Sequence, residues 1–236
     1  MSNYKFNLKS KGWSIIKSQN VNDIELLSKN FLQELKKNKK LNLFITKNVK
    51  DINSLRKIVS KLDDNILNLI RGLYLNKFST NILKAFSQDL IPIFGKKLLV
   101  QKYPQIQIHA GFKNSTKTFP HYEMMAGHSP FTYNIWLPFH DIIDKSGIFL
   151  IDDKLSVNLC DKEIKNNINN REKFLFNKMF FPKIKFGEAL VFNPFVYHGS
   201  IRHKNKSSRI SLDVRLQRQD RPLFQKYNDY FTILNL

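Results

Sequence analysis

His121-Tyr122-Glu123 sets an imidazole and a carboxylate two residues apart. On an extended segment both side chains leave the same face, because successive residues of a strand alternate between its two faces. Such a pair suits two ligands of one divalent metal ion. A third nitrogen ligand is available much later in the chain, at His198 in Val196-Tyr197-His198-Gly199-Ser200. Two histidines and one carboxylate on one side of an iron(II) ion leave three positions open for dioxygen and a chelating co-substrate.

The segment that follows His198 supplies a second kind of chemistry. Arg209, Ser211, Asp213 and Arg215 share one face of a period-two pattern, and Ile210, Leu212, Val214 and Leu216 share the other. Arg209 stands eleven positions after His198. A guanidinium forks onto a carboxylate with two parallel hydrogen bonds, and a neighbouring serine adds another, so Arg209 and Ser211 suit the distal end of a dicarboxylate. Gln107 and Asn134 point from inner strand faces and are candidates for the same co-substrate or a substrate; satisfied barrel polars are the equal alternative. His128, in the loop Gly127-His128-Ser129-Pro130, and Arg215 are weaker candidates for substrate contact. Arg215 either receives an anionic group or pairs with Asp213 or another acid. Trp136 reads as core, and His109, His140 and His203 read as structural or surface histidines.

These residues need elements to hold them. The first part of the chain is helical in pattern. Asn22 or Asp23 caps a helix whose apolar residues Leu26, Leu27, Phe31, Leu32 and Leu35 recur at helical spacing. Further helical patterns run from about Asp51 to Leu62 and from Asp64 to Phe94, with a break near Asn76. From Lys97 the period becomes two: Gln105-Ile106-Gln107-Ile108-His109 alternates cleanly, and FTYNIWLPF, GIFLI, EALVFN and RISLDVRL follow as strands separated by turns at Ser146-Gly147 and Gly187-Glu188. Strands after helices, without βαβ alternation, predict a mostly-β fold with a helical buttress: a double-stranded β-helix, the cupin-like jelly roll. The predicted organisation is one domain, with a helical layer over 1–96, a jelly-roll core over 97–218 and a tail over 219–236. Asp161 to Lys178 reads as a polar insertion or a short helix.

Composition excludes some classes. No stretch approaches the run of about 20 apolar residues that spans a bilayer, and the N-terminus lacks the apolar core of a signal peptide, so a soluble cytoplasmic protein without membrane partners is expected. The single cysteine, Cys160, forms no intrachain disulfide and rules out a thiolate-rich zinc site. The formal charge of +20 is spread over lysines throughout the chain, alongside abundant asparagine and isoleucine. That dispersal predicts weak, non-specific nucleic-acid binding at most, while leaving room for an anionic or sugar-linked small-molecule substrate.

The run FGEALVFNPFVYHGSIRHKNKSSRISLDVRL resembles the C-terminal core of 2-oxoglutarate/iron(II) oxygenases of the phytanoyl-hydroxylase-like kind, with their Gly-acid turn, apolar strand, His-Gly and later Arg-x-Ser. HYEMMAGHSPFTYNIWLPF is similar to the proximal ligand region of oxygenases from antibiotic and surface-carbohydrate gene clusters, such as the streptomycin-biosynthesis group. The resemblance covers roughly Gln101 to Arg218. It implies that His121, Glu123 and His198 bind Fe(II), that Arg209 and Ser211 hold 2-oxoglutarate, and that O2 oxidises a carbohydrate or small natural-product intermediate while 2-oxoglutarate is decarboxylated to succinate. Glutamate stands where the commoner ligand is aspartate. Two other readings remain at this point: a cupin-type metal-dependent dioxygenase or isomerase that does not use 2-oxoglutarate, and a non-catalytic carbohydrate- or nucleic-acid-binding jelly roll.

Overall fold

The computed structural model describes residues 3–45, 49–110, 118–152, 154–156, 177–203, 205–224 and 227–236. Cys160 and all but the last two residues of the polar stretch Asp161 to Lys178 lie outside them.

The described residues form seven helices: α1 (Asn3–Lys11), α2 (Val21–Lys37), α3 (Lys39–Ile45), α4 (Ile52–Val59), α5 (Asp64–Arg71), α6 (Phe78–Ala85) and α7 (Ser87–Phe94). The cap of α2 is Asn20, whose side chain accepts from the Asn22 amide, so the helix starts earlier than Asn22 or Asp23 would set it. Asp51 and Ser54 form a reciprocal capping box on α4, and Asp63 caps α5. The pattern from Asp64 to Phe94 is three helices, broken between Gly72 and Lys77 and again at Phe86. Along α2, Ile24, Leu27, Phe31, Leu32 and Leu35 are buried, whereas Leu26 is 57% exposed, so the apolar stripe passes through Ile24 instead.

The ten strands among the described residues follow the jelly-roll plan. They are β1 (Trp13–Lys17), β2 (Lys97–Gln101), β3 (Gln105–His109), β4 (Thr118–His121), β5 (Tyr133–Pro138), β6 (Phe149–Leu150), β7 (Glu188–Phe192), β8 (His198–Ser200), β9 (Arg209–Arg218) and β10 (Phe231–Asn235). The major sheet runs β1-β7-β5-β9-β2-β10, and β3 pairs with the first half of β9; the minor sheet runs β4-β8-β6. Two strands were not among those read from the sequence: the mainly helical layer over 1–96 also contributes an edge strand, β1, and the tail over 219–236 contributes the opposite edge, β10. Both, WSIIK and FTILN, lack the clean polar and apolar alternation that marks a strand such as Gln105–His109.

The two faces of the major sheet divide its residues as alternation requires. On the outer face Ile16, Leu98, Val100, Ile106, Ile108, Ile135, Leu137, Val191, Ile210, Leu212, Val214 and Leu216 join Leu27, Phe31, Leu35, Leu55, Ile70, Ile82 and Phe86 of the helices in one core. Each such side chain taken fully out of water contributes on the order of 1.5–3 kcal/mol. Burying the outer face turns the other, polar face of β9 toward the minor sheet, so nine of its ten residues are buried. The ionic face of β9 is therefore barrel interior. No described helix is long and apolar enough to cross a membrane.

Candidate metal centre

His121 on β4 and His198 on β8 are directly opposed across the minor sheet, with ring centroids 4.4 Å apart. No side chain is tolerated at Gly199, next to His198 on β8: a Cβ there would sit 2.7 Å from the Thr118 carbonyl oxygen of β4. Nδ1 of His121 lies 2.8 Å from the carbonyl oxygen of Phe119, and Nδ1 of His198 lies 2.9 Å from that of Val196. A carbonyl only accepts, so both Nδ1 atoms carry the proton and both Nε2 lone pairs are left for a ligand. This is the tautomer and orientation that metal-bound histidines adopt. Burial, together with the nearby His198, holds His121 below the ordinary histidine value and keeps it neutral.

Glu123 reaches the same point by a different route from the one expected. The β4 ladder ends at His121, Tyr122 stays extended, and Glu123 opens a 3-10 turn, Glu123–Ala126, that Gly127 closes at φ 78. The one extended residue preserves the two-residue alternation, so Tyr122 turns outward to donate to the Ser156 carbonyl oxygen while Glu123 turns inward. Ligand atoms of His121, Glu123 and His198 all lie within 4.8 Å of one another. This donor set fits a divalent ion of the iron, nickel or manganese kind and leaves coordination positions open.

Around the Glu123 carboxylate, Asn134 Nδ2 donates to Oε1 at 2.6 Å and Arg215 Nε donates to Oε2 at 2.8 Å. His198 Nε2 is 3.2 Å from Oε1 and His128 Nε2 is 3.7 Å from Oε2. Burial pushes the Glu123 carboxyl up, but the Arg215 guanidinium overrides it and holds the group well below the usual carboxylate range. Arg215 thus pairs with Glu123 and, at 3.5 Å, with Asp213, the acid-paired role of the two open to it from sequence. Asn134 turns its Nδ2 to Glu123 and keeps its Oδ1 without a hydrogen-bond partner.

The centre opens into a cavity of about 180 Å³ whose walls include Gln105, Gln107, Thr118, His128, Trp136, Arg209 and Asp213. Arg209 is fully enclosed, its Nη1 donating to the Ser146 carbonyl oxygen at 3.0 Å while its Nε has no hydrogen-bond partner. Its guanidinium lies 5.3 Å from the Trp136 ring centroid, and burial lowers it to about 9. Ser211 lies between Arg209 and Asp213 on the same face, with its buried Oγ unpartnered. Gln107 is its cross-strand neighbour and lines the cavity. His128 also lines it. Trp136, read as core, does both: it packs with Leu190 and Phe192 and floors the cavity beneath Arg209. Its position two residues from Asn134 on β5 is the signal that would have placed it there.

Two buried histidines beside Arg209 stay neutral. Burial, then Arg209, pushes His109 down to about 3, and burial, then Arg56, pushes His140 down to about 4. Their ordinary value is 6.5, so as pH falls below it the unfolded chain takes up protons that the folded chain refuses. Asp213 acts oppositely: burial raises it to about 6 from 3.8, so over the same range the folded chain gains a proton first. His121, His203 and Glu123, also held low, act in the same direction as these two histidines, so the metal-free chain should lose stability, by at least roughly 3 kcal/mol, between pH 6.5 and 4. Urea unfolding at the two pH values measures it, and His109→Asn should make the difference smaller.

The sequence matches no family model and no curated protein. Solved structures do match. A non-heme alpha ketoglutarate dependent carbocyclase, SnoK from nogalamycin biosynthesis, is 10% identical with a TM-score of 0.57, covering 100% of this chain and 97% of that one. HygX from Streptomyces hygroscopicus, solved with nickel and 2-oxoglutarate bound, is 11% identical with a TM-score of 0.54, covering 98% and 93%. EctD from S. alaskensis with bound Fe is 10% identical with a TM-score of 0.55, covering 95% and 79%. At these identities the likeness is one of fold, and it places the chain among mostly-β jelly rolls of the cupin-like architecture.

Proposed function

We propose that this chain is an iron(II)- and 2-oxoglutarate-dependent oxygenase. The observation that carries the proposal is a cavity with two chemically distinct ends. At one end two imidazole Nε2 atoms and a carboxylate converge; at the other a fully buried guanidinium has no carboxylate within ion-pair distance among the described residues. A buried cation without a counter-charge is costly, which marks a place where an anion binds. A dicarboxylate with an oxo-acid head matches both ends at once, and HygX and EctD, of the same fold, hold 2-oxoglutarate and iron respectively. The iron would supply dioxygen chemistry. The chain's own part is to orient the co-substrate through Arg209, Ser211 and Gln107, and to exclude water with Trp136, Ile148 and Phe192. A cupin-type enzyme that does not use 2-oxoglutarate has no use for Arg209 in this place.

With Arg209 given to the co-substrate and Arg215 to Glu123, no described cation of the cavity wall is left for substrate. Gln105, Thr118, His128 and Asp213 remain, and they suit a neutral, hydroxyl-bearing moiety such as a carbohydrate or a polyhydroxylated natural-product intermediate. Any anionic portion of the substrate stays outside, toward the basic surface. The reading assigns no specific nucleic-acid or membrane partner and a cytoplasmic site of action. The test is succinate release from 2-oxoglutarate by the purified protein with iron(II) under air, with and without candidate sugars. Release that requires iron(II) and falls in the His198→Ala variant supports the proposal; none under any condition overturns it.

A further inference from the structure

A glutamate ligand has one more rotatable bond than aspartate, and left free it swings between one-oxygen and two-oxygen contact with an ion. Here both carboxylate oxygens are already held from the major sheet. Asn134, on β5, donates to Oε1, and Arg215, its cross-strand neighbour on β9, donates to Oε2. Arg215 is itself pinned. Gln101 Oε1 on β2 accepts from its Nη1 at 3.3 Å and from its backbone amide at 3.1 Å, and Asp213 stands 3.5 Å from Nη2. Gln101, Asn134, Asp213 and Arg215 are all buried.

We propose that Arg215 and Asn134 are positioning residues that fix the Glu123 carboxylate so that it meets the ion through a single oxygen, Oε1, with Oε2 retained by Arg215. The inference rests on the metal-centre reading given above. Its role for Arg215 is unusual in sign. A cation 2.8 Å from a metal ligand repels a divalent ion, so on charge alone its removal tightens metal binding. Asp213 offsets that repulsion by placing a second carboxylate 3.5 Å from Nη2 of the guanidinium, which lets Arg215 orient Glu123 without cancelling the negative charge of the cluster. Orientation and charge therefore predict opposite results for the same substitution.

Anaerobic titration of the full chain with Mn(II) separates them. Arg215→Gln should weaken Mn(II) binding by about 10- to 100-fold, as loss of a hydrogen bond to a metal ligand commonly does. Arg215→Lys, which keeps a donor, should recover part of that loss. The visible absorption of the Co(II)-loaded protein reports coordination number; its bands should change shape in Arg215→Gln and return toward the parent in Arg215→Lys. Unchanged or tighter Mn(II) binding in a folded Arg215→Gln protein overturns the proposal. Should that variant not fold, Asn134→Ala carries the test without a change of charge: about tenfold weaker binding supports positioning, and unchanged binding overturns it. A parent chain that binds no Mn(II) at all defeats the metal-centre reading instead, which keeps the two failures apart.

Discussion

Alanine at His198 should abolish divalent-ion binding and, with it, succinate release. Two protein ligands cannot retain a labile first-row ion that three hold, because each imidazole supplies both a bond and part of the geometry. The same outcome is expected for His121→Ala. Glu123→Ala is a harsher change: it also strands Arg215, and removing one member of a buried ion pair commonly costs about 3–5 kcal/mol of stability. The histidine variants are therefore the cleaner probes. Calorimetric titration with Mn(II) under anaerobic conditions is the measurement, with circular dichroism to show that the fold is retained. Parent-like affinity in His198→Ala would mean that the ion sits elsewhere.

The second large effect belongs to Arg209. Arg209→Lys keeps the charge but loses the planar fork, and a point charge on a flexible stem cannot match both oxygens of a distal carboxylate. The apparent constant for 2-oxoglutarate should rise roughly ten- to a hundredfold, the equivalent of the ~1.5–3 kcal/mol of a charged hydrogen bond. Metal affinity should hardly move, because Arg209 contacts Ser146 and Trp136 and no metal ligand. Arg215→Lys should show the reverse pattern, a larger effect on metal than on 2-oxoglutarate. Succinate release against 2-oxoglutarate concentration, with a metal titration of the same proteins, resolves both. If Arg215 governs 2-oxoglutarate and Arg209 does not, the clamp has been assigned to the wrong arginine.

The contrast between those arginines shows what the sequence made legible. Alternation along RISLDVRL put Arg209, Ser211, Asp213 and Arg215 on one face correctly, because a strand has only two faces. It did not say which partners each would meet, since those come from β5, β2 and the turn after β4, elements remote in sequence. Asp213 and Trp136 were therefore underrated as cavity residues, and the hold of Asn134 on Glu123 was not foreseen. The long helices and strands were readable from period and caps. The edge strands β1 and β10 were not, because WSIIK and FTILN do not alternate cleanly and their pairing is decided by the sheet they join. Glu123 was placed on the right side for a partly wrong reason: the alternation survives through Tyr122, although the ladder does not.

The pairing plan of the two sheets bears on how the chain is made. Every described ladder joins a strand ending by Leu150 to one beginning at Glu188 or later: β1 and β5 to β7, β2, β3 and β5 to β9, β2 to β10, and β4 and β6 to β8. Among the described residues, α1 through β6 therefore hold helices but not one pair of strands that bond to each other in the finished fold. Their open edges and the apolar face beneath the helices stay unprotected until the last quarter of the chain emerges. Such non-local closure is slow and leaves nascent strands exposed to association with other chains. Stalled or truncated synthesis of this protein thus leaves a species held together by its helical layer alone, a substrate for chaperones and proteases.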